Sequence, residues 1–108
     1  MTRKDLSRWL KAIAKLRRIA PTVLPIRVRT IEFPAKEKEM LGTCQLNHDH
    51  ILIRINKKAS LDHRIETLIH EWVHGELIVL DEVRKTDNYH GPVFDAAHGE
   101  LSRRYVDA

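Results

Sequence analysis

The chain has one cysteine, Cys44, among its 108 residues. An internal disulfide framework is therefore impossible, and a reducing cytoplasm is the expected setting. Cys44 falls in a strand-like stretch, where a small buried side chain is the expected role rather than a nucleophile. Long apolar runs are also missing. The longest are short, such as Leu77 to Leu80, far below the roughly 18–20 residues that span a bilayer. The N-terminus has no apolar segment of secretory type. There is no internal repeat, low-complexity tract or interdomain linker. What remains is 43% hydrophobic and 31% charged residues, the balance of an ordinary globular protein. One domain, residues 1–108, is the expectation.

The charge is present but unevenly placed. Residues 1–18 hold seven Lys or Arg against one acid, Asp5, a net +6, while the other ninety residues carry 12 basic against 14 acidic groups, a net −2. The basic character thus belongs to the N-terminal segment. Such a segment suits nucleic acid or an acidic surface, or is simply the solvated face of a helix.

Leu6, Trp9, Leu10, Ile13 and Leu16 repeat at helical spacing, which predicts a helix over about 2–20 that ends at Pro21 and docks through Trp9. Three strands follow. The first runs from Ile26 to Phe33, with Ile26, Val28 and Thr30 opposite Arg27 and Arg29, and closes at Pro34. The second runs from Met40 to Leu46, with Gly42 as a bulge, and the third from His50 to Asn56, with Ile51, Ile53 and Ile55 on one face. The turn Asn47-His48-Asp49 makes these two an antiparallel hairpin. Ser60 caps a helix that buries Ile65, Leu68, Ile69, Trp72, Val73 and Leu77 and runs to about Leu80. Residues 81–89 read as a loop. Gly91 and Pro92 open a last helix with Phe94, Ala97, Leu101 and Tyr105 on its core face. The order is that of an α+β domain: an N-terminal helix, a small, largely antiparallel three-stranded sheet, a central helix and a C-terminal helix.

The central helix carries His70-Glu71-Trp72-Val73-His74, an H-E-x-x-H pattern. Residues four apart lie one turn apart on one helix face, so His70 and His74 can grip the same metal ion. Glu71 lies about 100° round the helix from His70. There it can act as general base on a metal-activated water without being a ligand. The apolar flanks Leu68, Ile69, Trp72 and Val73 place the pattern on a buried helix, where two histidines and a carboxylate are costly without a purpose. One zinc ion per chain is the expected cofactor.

A catalytic zinc takes three protein ligands and keeps one open position. The close-spaced third histidine of H-E-x-x-H-x-x-G-x-x-H is absent, because Leu77 and Leu80 stand at those places. Asp81, Glu82, His90, His98 and Glu100 are the later candidates. His90 is preferred, since it directly precedes a Gly-Pro helix start and a loop of about nine residues lets the chain turn back. His98 falls near the apolar face of the last helix and reads as a hydrogen-bonded core or supporting histidine. Tyr89, Tyr105 and His98 are candidates to stabilise the transition-state oxyanion. His48, His50 and His63 read as turn or surface residues. The strand 50–56 is expected to run along the cleft, where an extended peptide can add to it.

His70-Glu71-x-x-His74, followed sixteen residues later by His90-Gly91-Pro92-Val93-Phe94, resembles the SprT-like metalloproteases, the group that includes the catalytic domain of Spartan. The resemblance covers roughly Ile51 to Leu101. It implies a zincin-like fold, zinc held by His70, His74 and His90, and Glu71 as the catalytic base. It also implies proteolysis of DNA-bound or DNA-crosslinked proteins, that is, DNA–protein crosslink repair, with stimulation by DNA and a cytoplasmic or nucleoid-associated location. Many relatives continue into a zinc ribbon. This chain has no cysteine pair for one, which suggests a minimal version whose basic N-terminal helix would have to meet DNA instead. Two other readings follow from the same residues. One is a nucleic-acid-binding module with a structural or vestigial zinc. The other is a non-peptidase, metal-dependent amide hydrolase.

Overall fold

A computed structural model describes residues 2–80 and 91–108. Three helices and a three-stranded sheet follow in the order α1 (Arg3–Ile19), β1 (Ile26–Ile31), β2 (Gly42–Leu46), β3 (Ile51–Asn56), α2 (Leu61–Leu80) and α3 (Pro92–Asp107), with a 3-10 turn at Ala35–Glu37. The architecture is α+β. Among the described residues no helix is long and apolar enough to cross a membrane.

α1 forms where the sequence pattern places it. The hydroxyl of Thr2 accepts from the Asp5 backbone N–H at 3.1 Å, Asp5 lies in the first turn and Arg17 and Arg18 in the last. These ends complement the helix dipole. Trp9, Ala12, Ile13 and Leu16 are buried. Leu6 and Leu10, expected on the same stripe, are 47% and 56% exposed. The buried arc is thus centred on Trp9 and Leu16, and the two leucines lie past its edge. The end of α1 is tied to the rest of the protein by other elements. The Trp72 indole donates to the Ala20 carbonyl at 3.0 Å, and Arg104 donates to the Ile19 carbonyl.

The sheet order is β1-β3-β2. β2 and β3 pair antiparallel, from Gly42 opposite Ile55 to Leu46 opposite Ile51. At their turn the Asn47 N–H donates to the His50 carbonyl at 2.8 Å. His50 is held there between the Asn47 amide and Asp49, and the hydrogen bond from its ring keeps the Asp49 carboxyl below the usual carboxylate range. β1, however, pairs parallel with β3. The sheet is mixed, not largely antiparallel. The chain after β1 crosses to the far side of β3 before β2 begins, so β1 and β3 are not neighbours in sequence. A crossover of that length permits a parallel pair, which a short turn does not. β3 is therefore central and β2 is an edge strand. The pairing through Gly42 is continuous, so Gly42 is not a bulge.

One core lies between the sheet and the helices. Ile51, Ile53 and Ile55 of β3, Leu16 of α1, and Leu68 and Val73 of α2 have no exposed surface. Each such side chain contributes about 1.5–3 kcal/mol of burial. Gly75 brings α2 close to the sheet, with Ile26, Ile51 and Cys44 at contact distance from where a Cβ would stand. Ser60 starts α2, its hydroxyl accepting from the His63 N–H at 3.4 Å and its carbonyl from the Arg64 N–H at 2.8 Å. Asn56, 1% exposed, ties down the loop before β2. Its amide donates to the Met40 carbonyl at 2.9 Å, and its side-chain oxygen accepts from the Lys58 N–H.

Candidate metal centre

α2 has one apolar and one polar half, and both are largely buried. Trp72 and Val73 face the core at 1% and 0% exposure. On the other side Glu71 and His74 are 7% and 8% exposed, and His70 is half-buried. The ligand-capable atoms of His70, Glu71 and His74 all lie within 4.8 Å of one another. The two imidazole centroids are 4.9 Å apart, one helical turn along α2. This His-Glu-x-x-His cluster can hold a metal ion. Two nitrogen donors and an adjacent carboxylate suit zinc and other borderline divalent cations.

α3 closes the other side. It begins at an extended Gly91 cap followed by Pro92. One turn in, the buried Phe94 ring lies 4.9 Å from His70 and 4.4 Å from His74 between centroids. His98 stacks on Phe94 at 5.7 Å, with rings 12° from parallel, and lies 5.6 Å from His70. Phe94 therefore wedges against both imidazoles. By sequence Phe94 stands on the core face of the last helix and also ends the His90-Gly91-Pro92-Val93-Phe94 stretch. Its place four residues after His90, in the H-G-x-x-F pattern, was the signal for this second role.

β2 closes the third side. A Cβ on Gly42 would stand 2.6 Å from the Thr67 methyl and 3.2 Å from both the Arg54 carbonyl oxygen and the Glu71 Cγ. The strand passes this close to Glu71 only because residue 42 has no side chain. The strand at the cleft is thus β2, not 50–56 as expected. β3 is paired on both sides and has no edge to offer a peptide.

The resulting cleft has a volume of about 720 Å³ and is open to solvent beside His70, Glu71 and His98. Of the three candidate oxyanion stabilisers, His98 and Tyr105 both line it, about two turns apart on α3. Burial pushes the Tyr105 phenol up, so it is a proton donor at neutral pH, and the Lys15 ammonium sits 4.2 Å over its ring. Tyr89 lies outside the described residues. So do His90, Asp81 and Glu82 among the third-ligand candidates. Glu100 is exposed and holds Arg103 at 2.9 and 3.0 Å, outside the three-residue cluster. His48 and His63 are exposed, as expected.

No protein-family model, curated protein or solved structure matches the chain. The site therefore has to be interpreted from its own chemistry.

Proposed function

We propose that the chain is a zinc-dependent endopeptidase of the SprT-like kind with a zincin-like fold. One observation carries the reading. The ligand-capable atoms of His70, Glu71 and His74 converge within 4.8 Å, Glu71 and His74 are nine-tenths buried, and His70 and Glu71 wall a solvent-open cleft. Two imidazole nitrogens and a carboxylate converging at this distance are a donor set that a divalent cation takes.

His70 and His74 would hold the ion, with His90 as third ligand. Residue 90 precedes the cap of α3, the helix whose Phe94 meets both imidazoles. When bound, zinc supplies Lewis acidity and lowers the pKa of a coordinated water. Glu71 acts as the base. Its carboxylate takes the proton of the attacking water and returns it to the leaving amine nitrogen. Phe94 packs against both imidazoles. His98 and Tyr105 line the cleft as donors for the carbonyl oxygen as it gains charge. The edge of β2 offers main-chain groups to an extended substrate, a sequence-tolerant way of binding.

DNA is a proposed second partner, acting through α1. Arg3, Lys4, Lys11 and Arg18 are exposed. Three other cations of the helix have structural contacts: Arg8 with Asp62, Arg17 with the Ile26 carbonyl and Lys15 with Tyr105. Because Trp9 and Leu16 belong to the core, deleting residues 1–18 is a poor test of this partner. Reversing the charge of the four exposed cations is the appropriate one, read as a loss of salt-dependent DNA binding.

The decisive experiment measures zinc by mass spectrometry and proteolysis on a denatured protein, with and without single- and double-stranded DNA. Wild type should carry about one zinc per chain. His74→Ala and His90→Ala should lose it. Glu71→Gln should keep zinc and lose activity by roughly 10²–10⁴-fold. Undiminished proteolysis by Glu71→Gln would sink the mechanism.

A further inference from the structure

The cleft is longer than the chemistry needs. Past the imidazoles it is walled by Ile69 of α2, by Leu41 at the entry to β2 and by Tyr105 and Val106 of α3, with Ser102 between them. Leu41 and Val106 are 49% and 80% exposed, while Ile69 is 8% exposed. Apolar groups therefore stand at the mouth as well as on the floor. Among the described residues no lysine or arginine lines the cleft, and the carboxylates there are Glu66 and Glu71. On a surface otherwise rich in charge, a concave apolar patch continuous with a reactive centre marks a ligand site.

We infer that this part of the cleft is the specificity subsite. It takes a bulky aliphatic or aromatic side chain from the residue on one side of the scissile bond. The inference rests on the peptidase reading above and names its substrate class. An acidic side chain would meet Glu66 and Glu71, with no cation among the described lining residues to pair it. A small one would leave Ile69, Leu41 and Tyr105 in contact with water. A basic one would find the rim carboxylate Glu66 but would have to carry its charge past apolar walls. A large apolar side chain removes water from all of these surfaces at once.

Ser102 is the position to perturb. It is half-buried and lies four residues after His98 and three before Tyr105, on the cleft-lining face of α3. Ser102→Trp should fill the subsite. Leu41→Asp, at an exposed position that should not disturb folding, should make its mouth polar.

The test has two arms. In the first, zinc-supplied full chain digests a peptide library and the cleavage sites are mapped by mass spectrometry. Large apolar residues should be preferred over Gly and Asp on the order of tenfold at one position beside the cleaved bond. In both variants the preference should fall below about twofold, with peptides carrying Ala at that position still cut. In the second arm, the Glu71→Gln protein binds labelled hexapeptides that differ only in a central Phe or Gly, read by fluorescence anisotropy. The Phe peptide should bind on the order of tenfold tighter, and adding Ser102→Trp should remove the difference. Cleavage without residue preference, or with a preference that both variants leave intact, overturns the subsite and leaves the peptidase standing. Selective Phe binding that Ser102→Trp abolishes, with no cleavage by wild type, keeps the subsite and overturns the peptidase. Neither cleavage nor selective binding overturns both. A preference for Lys or Arg at that position overturns the apolar assignment in favour of Glu66.

Discussion

α1 and α2 solve opposite problems with the same geometry. α1 turns four side chains, Trp9, Ala12, Ile13 and Leu16, into the core and leaves most of its cations in water. α2 buries its apolar side in the core and also buries Glu71, which lies against β2, and His74. The first arrangement is what folding alone asks of a surface helix. The second is not, because glutamate is among the side chains least often buried. The contrast separates a helix that stabilises the domain from one whose composition answers to chemistry.

The comparison is broken most severely by truncating the docking face of α1. Leu16 is fully buried and Leu10 is mostly exposed, on the same helix. Leu16→Ala should cost about 2–5 kcal/mol in urea unfolding, whereas Leu10→Ala should stay within about 0.5 kcal/mol. Equal effects would mean that α1 is not docked as described.

A smaller effect is expected where β2 presses on α2. Gly42→Ala places a methyl 2.6 Å from the Thr67 side chain and 3.2 Å from a backbone oxygen that cannot turn away. Overpacking of this kind should cost about 1–3 kcal/mol. It should also reduce proteolysis beyond the loss of folded protein, because Glu71 is the other neighbour. Full activity per folded molecule would show that Glu71 tolerates a shift of the strand.

The smallest expected effect concerns Glu76, two residues past the cluster on α2. Burial pushes its carboxyl above the ordinary glutamate range, partly offset by Arg104. The sign follows directly. A carboxyl with a raised pKa in the folded state disfavours folding once ionised, so its cost is absent below the unfolded value, grows between the unfolded and folded values and is complete above the folded one. Metal-free Glu76→Gln should therefore be more stable than wild type near pH 7 and indistinguishable from it near pH 4, by urea unfolding at both pH values. A variant equally or less stable at pH 7 would show that Arg104 outweighs burial.

Much of this protein was determined locally, within the reach of one helical turn or one strand. Apolar spacing of three and four residues located α1, α2 and α3, alternation located β1, β2 and β3, and the four-residue step put His70 and His74 on one face. These are consequences of fixed periods of 3.6 and 2 residues, so they are legible without a fold. Only the tertiary structure decided what stands opposite. The parallel partner of β3 depends on where a long connection lands, not on the strand's own residues. That choice made β2, rather than 50–56, the edge beside the site. Gly42 looked like a bulge because its real constraint, the nearness of Glu71 and Thr67, comes from residues 25 or more positions away. Phe94 looked like core because burial and contact with a reactive site leave the same apolar signature in a sequence. The pair His70 and His74 belongs to the sequence. The wedge, the strand and the apolar cleft around them belong to the packing of α3 and β2 on α2.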